Sequence, residues 1–165
     1  MLGTIRAVVV NGGAAYLAPM TSDPAPAPSI ESLLDELAEE FDLLGDWEGR
    51  IEYVIDLGKG LAPLPEGDRT DANKVPGCAA QVWLAVHPAG DRLRFVADSD
   101  SAISKGNIAL LLKLYSGRTP AEILDFDARA ALDRLGLPQA LTRQRANGLN
   151  AMVGRIREAA LATGG

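Results

Sequence analysis

The sequence is poor in the residues that most metal and catalytic sites require, with one cysteine, Cys78, and one histidine, His87, among 165 residues. A single cysteine excludes a disulfide within one chain, and a structural zinc or iron-sulfur site takes about four Cys or His ligands. A Cys-His catalytic pair needs hydrogen-bond contact, yet the predicted strand between the two residues separates them by about 25–30 Å. We therefore expect no resident metal, no cofactor, and a surface turn position for His87.

Long apolar runs and clusters of basic residues are also missing. No run reaches the roughly 18 apolar residues that a membrane-spanning helix needs, so we expect no membrane association. Asp and Glu total 22 against 16 Lys and Arg, a net charge of −6, and no basic cluster could follow a phosphate backbone, so no nucleic-acid partner is expected. The low cysteine content is compatible with the reducing cytoplasm, which is the expected location.

The first 29 residues differ from the rest of the chain, whose composition is that of an ordinary globular domain. Residues 7–10 form a short apolar run that imitates an export signal, but Asn11 and two glycines interrupt it. Residues 21–29 alternate proline and alanine, as extended linkers do. We predict a flexible N-terminal extension over residues 1–29 and a single folded domain over residues 30–163.

Apolar residues recur at helical spacing in several segments that begin at a capping residue. Thr119 and Glu122 form the pattern of a capping box, with Pro120 at the first helical position. Glycines are expected to end several helices, and Gly58 and Gly60 are both assigned to the end of the second helix. The helices predicted in this way start near Ser29, Asp46, the cluster Asp98–Ser101, Thr119, Asp127 and Thr142.

Between the second and third predicted helices the periodicity becomes alternating. Residues 81–86 and 92–97 read as two strands, and His87–Asp91 between them reads as a longer hairpin loop. A further short strand is expected near Asn73–Val75. Helices before and after a small antiparallel sheet of about three strands define an α+β fold.

Two other groups of residues have simple structural explanations. Asp98 and Asp100 are candidate ligands for a cation. Capping of the third helix explains the same two residues and is the preferred interpretation. Trp47 and Trp83 are interpreted as core or half-buried packing residues rather than as a platform for a ligand.

Cys78 follows the turn pair Pro76-Gly77 and precedes the first strand. Free cysteines are most often buried as small apolar side chains, which is the simplest interpretation. A position on a loop that leads into a strand favours access and function instead. No Lys, Arg or His lies within three residues of Cys78, so any group that favours the thiolate must come from elsewhere in the fold.

The segment Gly77-Cys78-Ala79-Ala80-Gln81-Val82-Trp83 resembles the SufE family of cysteine desulfuration proteins, the sulfur acceptors of iron-sulfur cluster assembly. Other segments are similar to that family in the same order, so the resemblance covers about residues 30–160. Several segments in order are far more specific than one Gly-Cys pair. They are Arg50–Gly58, Asp98–Gly106, Thr119-Pro120 with Phe126-Asp127, and Leu141-Thr142 with Arg145, Gly148 and Leu149.

The resemblance implies sulfur transfer on a fold like that of SufE proteins and U-type scaffolds. Cys78 matches the family cysteine that accepts a persulfide from a pyridoxal phosphate-dependent cysteine desulfurase of the SufS type. The protein would stimulate that desulfurase and pass the sulfur to an iron-sulfur scaffold, as a covalent carrier and activator rather than an enzyme. Asp100 and Arg145 match positions near the family's functional surface, which implies a role in partner docking or in the environment of the thiol.

Thiol-persulfide exchange needs one accessible nucleophilic sulfur and no base of its own. Because an isolated persulfide is easily oxidised, we hypothesise that the loop over residues 62–80 tucks the sulfur inward and releases it on docking. Two other functions stay open. One is a thiol redox protein in which Cys78 cycles through sulfenic acid, and the other is a U-type cluster scaffold, against which the lack of three cysteine ligands counts heavily.

Overall fold

The computed structural model of the chain describes residues 27–164. The predicted extension over residues 1–29 lies outside the described residues except for its last three positions, and it stays a prediction. Seven α-helices and two strands form in the described part of the chain. They are α1 (Ile30–Leu44), α2 (Trp47–Lys59), β1 (Val82–Ala89), β2 (Arg92–Ser99), α3 (Ala102–Tyr115), α4 (Pro120–Asp125), α5 (Ala128–Leu135), α6 (Leu137–Ala140) and α7 (Arg143–Gly164).

Six of the seven described helices begin at capping residues that the sequence indicates, whereas α6 is not predicted from the sequence and has no side-chain cap. The Ser29 hydroxyl accepts the Ser32 N–H at 3.0 Å, and Asp46 caps α2 in the same way. At the start of α4 the Thr119 hydroxyl accepts the Glu122 N–H at 3.2 Å, while the Glu122 carboxylate accepts the Thr119 N–H at 2.9 Å. Each of these bonds joins residues three positions apart, so local sequence is sufficient to specify the helix starts.

β1 and β2 form an antiparallel hairpin closed by the two-residue turn Gly90-Asp91, where Gly90 has φ +66°. The expectation of a longer loop over His87–Asp91 is wrong, because pairing continues until Ala89 faces Arg92. A glycine with positive φ in a two-residue turn is typical of a tight hairpin.

Pro88 lies inside the hairpin although proline has no N–H to donate to a ladder. Its partner Leu93 directs its own N–H away from β1 and donates it to the Arg118 carbonyl at 2.9 Å. The Pro88–Leu93 pair is thus a position where the two strands exchange no hydrogen bond, and β1 can continue through the proline.

The sheet formed by the described residues has two strands, where the sequence predicts about three. The expected strand near Asn73–Val75 is reduced to one antiparallel bridge between Lys74 and Trp83, followed by a 2.9 Å hydrogen bond from the Val75 N–H to the Val82 carbonyl. Pro76 comes next and has no N–H with which to extend the pairing. The predicted α+β class, with helices before and after a small antiparallel sheet in the chain, is confirmed.

α3 is the central helix of the core and contacts α1, α2, α7 and β2. It lies so close to α2 that the backbones touch where Gly58 faces Gly106. A Cβ at Gly58 would lie 2.7 Å from the Gly106 nitrogen, and one at Gly106 would collide with the Val54 carbonyl. The assignment of Gly58 to the end of α2 is wrong, since the helix continues to Lys59 with Gly60 as its C-cap.

The two tryptophans differ in exposure. Trp83 is 9% exposed, as expected for a packing residue, and the Arg69 guanidinium lies 4.7 Å from its ring centroid. Trp47 is 61% exposed, so the expectation that it is a core or half-buried packing residue is wrong. The contact of α2 with α3 is centred on Val54 and Gly58, about two turns beyond Trp47, so the first turn of α2 extends past the core.

Candidate functional site around Cys78

Cys78 is partly buried between the Pro76-Gly77 turn and β1, with its side chain against α7. Its Sγ donates a hydrogen bond to the Gly148 carbonyl at 3.6 Å, a weak bond of the kind that thiols make. A Cβ at Gly148 would lie 3.3 Å from the Cys78 Cα, a tight contact, and 3.5 Å from the Sγ, so the missing side chain lets the cysteine backbone lie close against α7. We call this place on α7, formed by Gly148, the sulfur seat.

The turn before Cys78 contacts the same face of α7. Gly77 has φ +90°, a conformation that favours glycine, and a Cβ there would lie 3.5 Å from the Ala151 Cβ. Ala151 is three residues beyond Gly148 and therefore lies on the same side of the helix. One face of α7 thus receives both the turn and the cysteine.

Burial raises the pKa of the Cys78 thiol above the ordinary value. Removal of the sulfur from water disfavours the charged thiolate more than the neutral thiol. In its seat Cys78 therefore stays mostly protonated at neutral pH, and its nucleophilic form is suppressed.

The chain is anchored on both sides of the cysteine. Upstream, the Arg155 guanidinium on α7 donates to the carbonyls of Ala72 at 2.5 Å and Lys74 at 3.0 Å. Downstream, Asp100 Oδ1 accepts the Gln81 N–H at 3.0 Å, and Asp100 Oδ2 lies 3.3 Å from the Gln81 side-chain amide. We call residues 75–80, between these two anchors, the cysteine segment.

The predicted site residue Asp100 is exposed, and it contacts the end of the cysteine segment rather than the sulfur. Arg145 is partly buried near the start of α7, and its guanidinium donates to the hydroxyls of Ser101 at 2.8 Å and Ser104 at 3.0 Å. The structure therefore brings Asp100 and Arg145 to the elements that border Cys78. Within the described residues the hydrogen-bond acceptor of the Cys78 sulfur is neither of them but the Gly148 carbonyl.

His87 lies on the surface near the hairpin turn, at the end of β1 remote from Cys78. Its Nε2 is 2.8 Å from Asp68 Oδ2, and its side chain is 47% exposed. The expected surface exposure is confirmed, but the expected turn position is wrong, because His87 lies within β1 and pairs with Arg94. The histidine is not placed to act as a base for the thiol.

Two residues of the site carry little sequence signal for their roles. Gly148 is found in a segment with family resemblance, but its contact with the sulfur depends on the approach of α7. Arg155 has no recognisable pattern, because its acceptors are backbone carbonyls 81 and 83 residues away in the chain. Because every residue has a backbone carbonyl, residue type does not indicate which carbonyls act as acceptors.

Neither a metal site nor a membrane-spanning helix is found over residues 27–164. No group of three or more His, Cys, Asp or Glu side chains there is arranged to hold a metal ion. None of the helices described has both the length and the apolar character needed to cross a membrane.

The fold and the site define a small α+β domain that presents one partly buried thiol between a hairpin and its longest helix. A family model described as "SufE: Fe-S metabolism associated domain" matches residues 35–160. The chain belongs to the SufE family, and the resemblance on which the expectations for Cys78 depend is confirmed at the level of the family.

Relatives of this chain agree with that membership. An uncharacterised SufE-like protein of Rhizobium etli is 47% identical over 131 residues, which are 77% of this chain and 88% of that protein. A second SufE-like protein, from Rhizobium meliloti, is 44% identical over 131 residues, 77% of this chain and 94% of its own. A solution structure of a hypothetical protein from Thermus thermophilus shares the fold, with a TM-score of 0.66 at 21% identity, over 78% of this chain and 93% of that one.

Proposed function

We propose that this protein accepts sulfur on Cys78 from a pyridoxal phosphate-dependent cysteine desulfurase, stimulates that enzyme, and passes the sulfur to an iron-sulfur cluster scaffold. Membership of a family associated with iron-sulfur metabolism supports the pathway. The observation that carries the chemistry is the sulfur seat, where a single thiol on a loop is held by one 3.6 Å hydrogen bond. In this role the protein is a cytoplasmic carrier and activator, and the catalytic cofactor belongs to the desulfurase.

The transfer step is a thiol-persulfide exchange. Cys78 loses its proton, and its thiolate attacks the outer sulfur of the persulfide on the desulfurase cysteine. A new S–S bond forms at Cys78 while the S–S bond of the desulfurase persulfide breaks, and the desulfurase cysteine leaves as a thiolate with the bonding electron pair. One persulfide is consumed and one is formed, so no external oxidant or reductant is needed.

The seated sulfur must move before it can react with a partner. Burial raises the pKa of the Cys78 thiol and keeps it protonated, and the contact with Gly148 turns the sulfur toward α7. We propose that docking of the desulfurase draws the cysteine segment outward, exposes the sulfur and favours its thiolate. Hydrogen exchange over residues 75–80, with and without the desulfurase, tests this movement, and equal protection in both samples would remove it from the proposal.

Sulfide release by a desulfurase of the SufS type, measured with and without this protein, tests the whole proposal. The wild-type protein should accelerate release, and Cys78→Ser should fold normally but give no acceleration, because serine cannot form a persulfide. His87→Ser is a suitable control, since His87 lies on the surface at the far end of β1, and it should stimulate like the wild type. Full stimulation by Cys78→Ser would contradict the assignment.

Mass spectrometry after incubation with desulfurase and cysteine separates transfer from redox chemistry. A persulfide adds the mass of one sulfur atom, whereas a sulfenic acid adds the mass of one oxygen. A sulfinic acid adds nearly the same mass as a persulfide, but dithiothreitol removes only the persulfide. An adduct of oxygen alone would favour the thiol redox function. Iron and colour in the purified protein would favour the cluster scaffold instead.

For Asp100 and Arg145 we propose different contributions to this function. Asp100 is exposed next to the cysteine segment and is proposed to take part in docking. Arg145 is already engaged with Ser101 and Ser104, and it is proposed to act on the environment of the thiol by fixing the start of α7 near the sulfur seat.

A further inference from the structure

Arg155 makes the closest polar contacts between α7 and the chain upstream of Cys78. Its Nη1 donates to the Lys74 carbonyl at 3.0 Å and its Nη2 to the Ala72 carbonyl at 2.5 Å. A planar guanidinium can serve two carbonyls at once, and hydrogen bonds from a charged donor are stronger than neutral ones. We call this pair of bonds the arginine clamp.

A small cleft of about 40 Å³ lies beside the clamp, and Arg155 lines it together with Asn73, Leu84, Val86 and Ala159. In the described part of the chain, the two bonds of the clamp are the hydrogen bonds that join α7 to residues 72–74.

The clamp and the sulfur seat belong to the same helix. Gly148, Ala151 and Arg155 are spaced by three and four residues, so they lie on one face of α7. On that face, Arg155 holds the upstream anchor, Ala151 lies against the turn, and Gly148 contacts the sulfur. Only a few residues separate the carbonyls that Arg155 binds from Cys78, so loss of those bonds affects the position of Cys78 through the backbone.

We propose that Arg155 is a positioning residue that holds the upstream end of the cysteine segment against α7 and thereby sets how often the Cys78 sulfur leaves its seat. With the clamp intact, the upstream end is held both by α7, through Arg155, and by β1, through the Lys74–Trp83 bridge and the bond from the Val75 N–H to the Val82 carbonyl. Without the clamp this end stays paired with β1 but is no longer held against α7, and the sulfur spends more time exposed. The biological meaning of this control rests on the proposed function, but the control itself is a property of the free protein.

The test compares Arg155→Met with Arg157→Met in the absence of any desulfurase. Methionine keeps an unbranched stem but makes no charged hydrogen bond. Arg157 is a matched control on the same helix, because it donates to a backbone carbonyl of another element, that of Leu124, at 3.1 Å. The readouts are the rate of Cys78 alkylation by iodoacetamide at a fixed pH, amide exchange over residues 72–80, and urea unfolding of each variant.

We expect Arg155→Met to raise the alkylation rate by about tenfold, as the loss of two charged hydrogen bonds allows, and to speed amide exchange of residues 72–80. Arg157→Met should leave both at the wild-type level, and Arg155→Lys, which can serve one carbonyl at a time, should be intermediate. Wild-type alkylation and exchange in Arg155→Met would overturn the proposal. An equal increase in Arg157→Met would also overturn it, since the cause would then be general loosening of α7.

The outcome separates the clamp from the proposed function. Faster alkylation in Arg155→Met together with no persulfide on wild-type Cys78 would support the clamp and contradict the carrier function. A persulfide on wild-type Cys78 together with an unchanged alkylation rate in Arg155→Met would support the carrier function and contradict the clamp.

Discussion

The proposed chemistry of this protein depends on one side chain, Cys78, whose surroundings restrain it. Cys78 has a carbonyl acceptor and a glycine beneath it, and burial raises its pKa. A thiol held in its neutral form is protected from oxidants, which react with the thiolate. We infer that the seat favours storage of the unloaded carrier, and that exposure favours reaction.

The raised pKa has a measurable consequence for reactivity against pH. Only the thiolate is alkylated, and burial opposes its formation, so the alkylation rate of folded Cys78 should reach its half-maximum at a higher pH than that of an unburied cysteine. A peptide of residues 74–83 provides the unburied reference. A folded-state midpoint equal to or below that of the peptide would show that burial does not control the thiol.

At Asp100 the negative charge can be removed without loss of the acceptor for the Gln81 N–H. Asp100→Asn keeps an Oδ1 that can accept the Gln81 N–H but removes the charge. If the carboxylate docks the desulfurase, the concentration of this protein that gives half-maximal stimulation should rise several-fold while the urea midpoint stays within experimental error. Asp100→Ala, which loses the acceptor too, should lower both affinity and stability. Unchanged half-maximal stimulation in Asp100→Asn would contradict docking through charge.

Arg145 is expected to affect the thiol rather than the partner. Loss of its bonds to Ser101 and Ser104 in Arg145→Met frees the start of α7 from α3 and should loosen the seat at Gly148. Cys78 alkylation in the free protein should therefore accelerate. An unchanged alkylation rate would remove Arg145 from the environment of the thiol.

Between elements, the contact of α2 with α3 brings the two helix backbones together and depends on two glycines. Gly58 and Gly106 let the backbones meet at a distance that no side chain fits. This contact fixes α3, and Arg145 in turn connects the start of α3 to α7. The sulfur seat is thus supported by packing well away from it.

Gly106→Ala should destabilise the domain strongly, by about 3 kcal/mol or more, because the new methyl group would overlap the Val54 carbonyl and the helices would have to separate. Urea unfolding measures the change. Gly154→Ala is the matched control, since nothing lies within 4 Å of a Cβ at that exposed position of α7. It should be neutral or stabilising by up to about 1 kcal/mol through helix propensity. Similar losses in both variants would contradict the close-approach argument.

Across the whole molecule, negative charge is concentrated on α1 and α2. Residues 30–59 contain ten of the 22 acidic residues and two of the 16 basic ones. Most of the acidic side chains are exposed, so they repel one another through solvent. The cysteine segment and α7 lie outside this acidic region.

Raising sodium chloride from about 0.05 M to about 0.5 M should therefore raise the melting temperature by several degrees, since salt at these concentrations screens exposed charges. The triple variant Glu36→Gln, Glu39→Gln, Asp42→Asn removes three exposed charges from α1 and should show a smaller rise. Equal salt dependence in the variant and the wild type would mean that repulsion on α1 and α2 does not limit stability.

Local sequence was sufficient for the features that depend on neighbours a few residues apart. Ser29, Asp46 and Thr119 cap the helices that follow them, as predicted. The alternation of residues 81–86 and 92–97 marks the hairpin, and together these features establish the α+β class. The cysteine could be singled out because it is unique and sits next to a turn in a segment with family resemblance.

The features that could not be predicted depend on partners far away in the chain. Pro88 stays in β1 because the Leu93 N–H finds the Arg118 carbonyl, and Gly58 is internal to α2 because Gly106 lies against it. Arg155 holds a loop 81 residues away through a backbone carbonyl that any residue would provide. Residue type and local spacing specify where helices, turns and the thiol occur, whereas the seat and the anchors of that thiol exist only after packing has brought α7 against the loop.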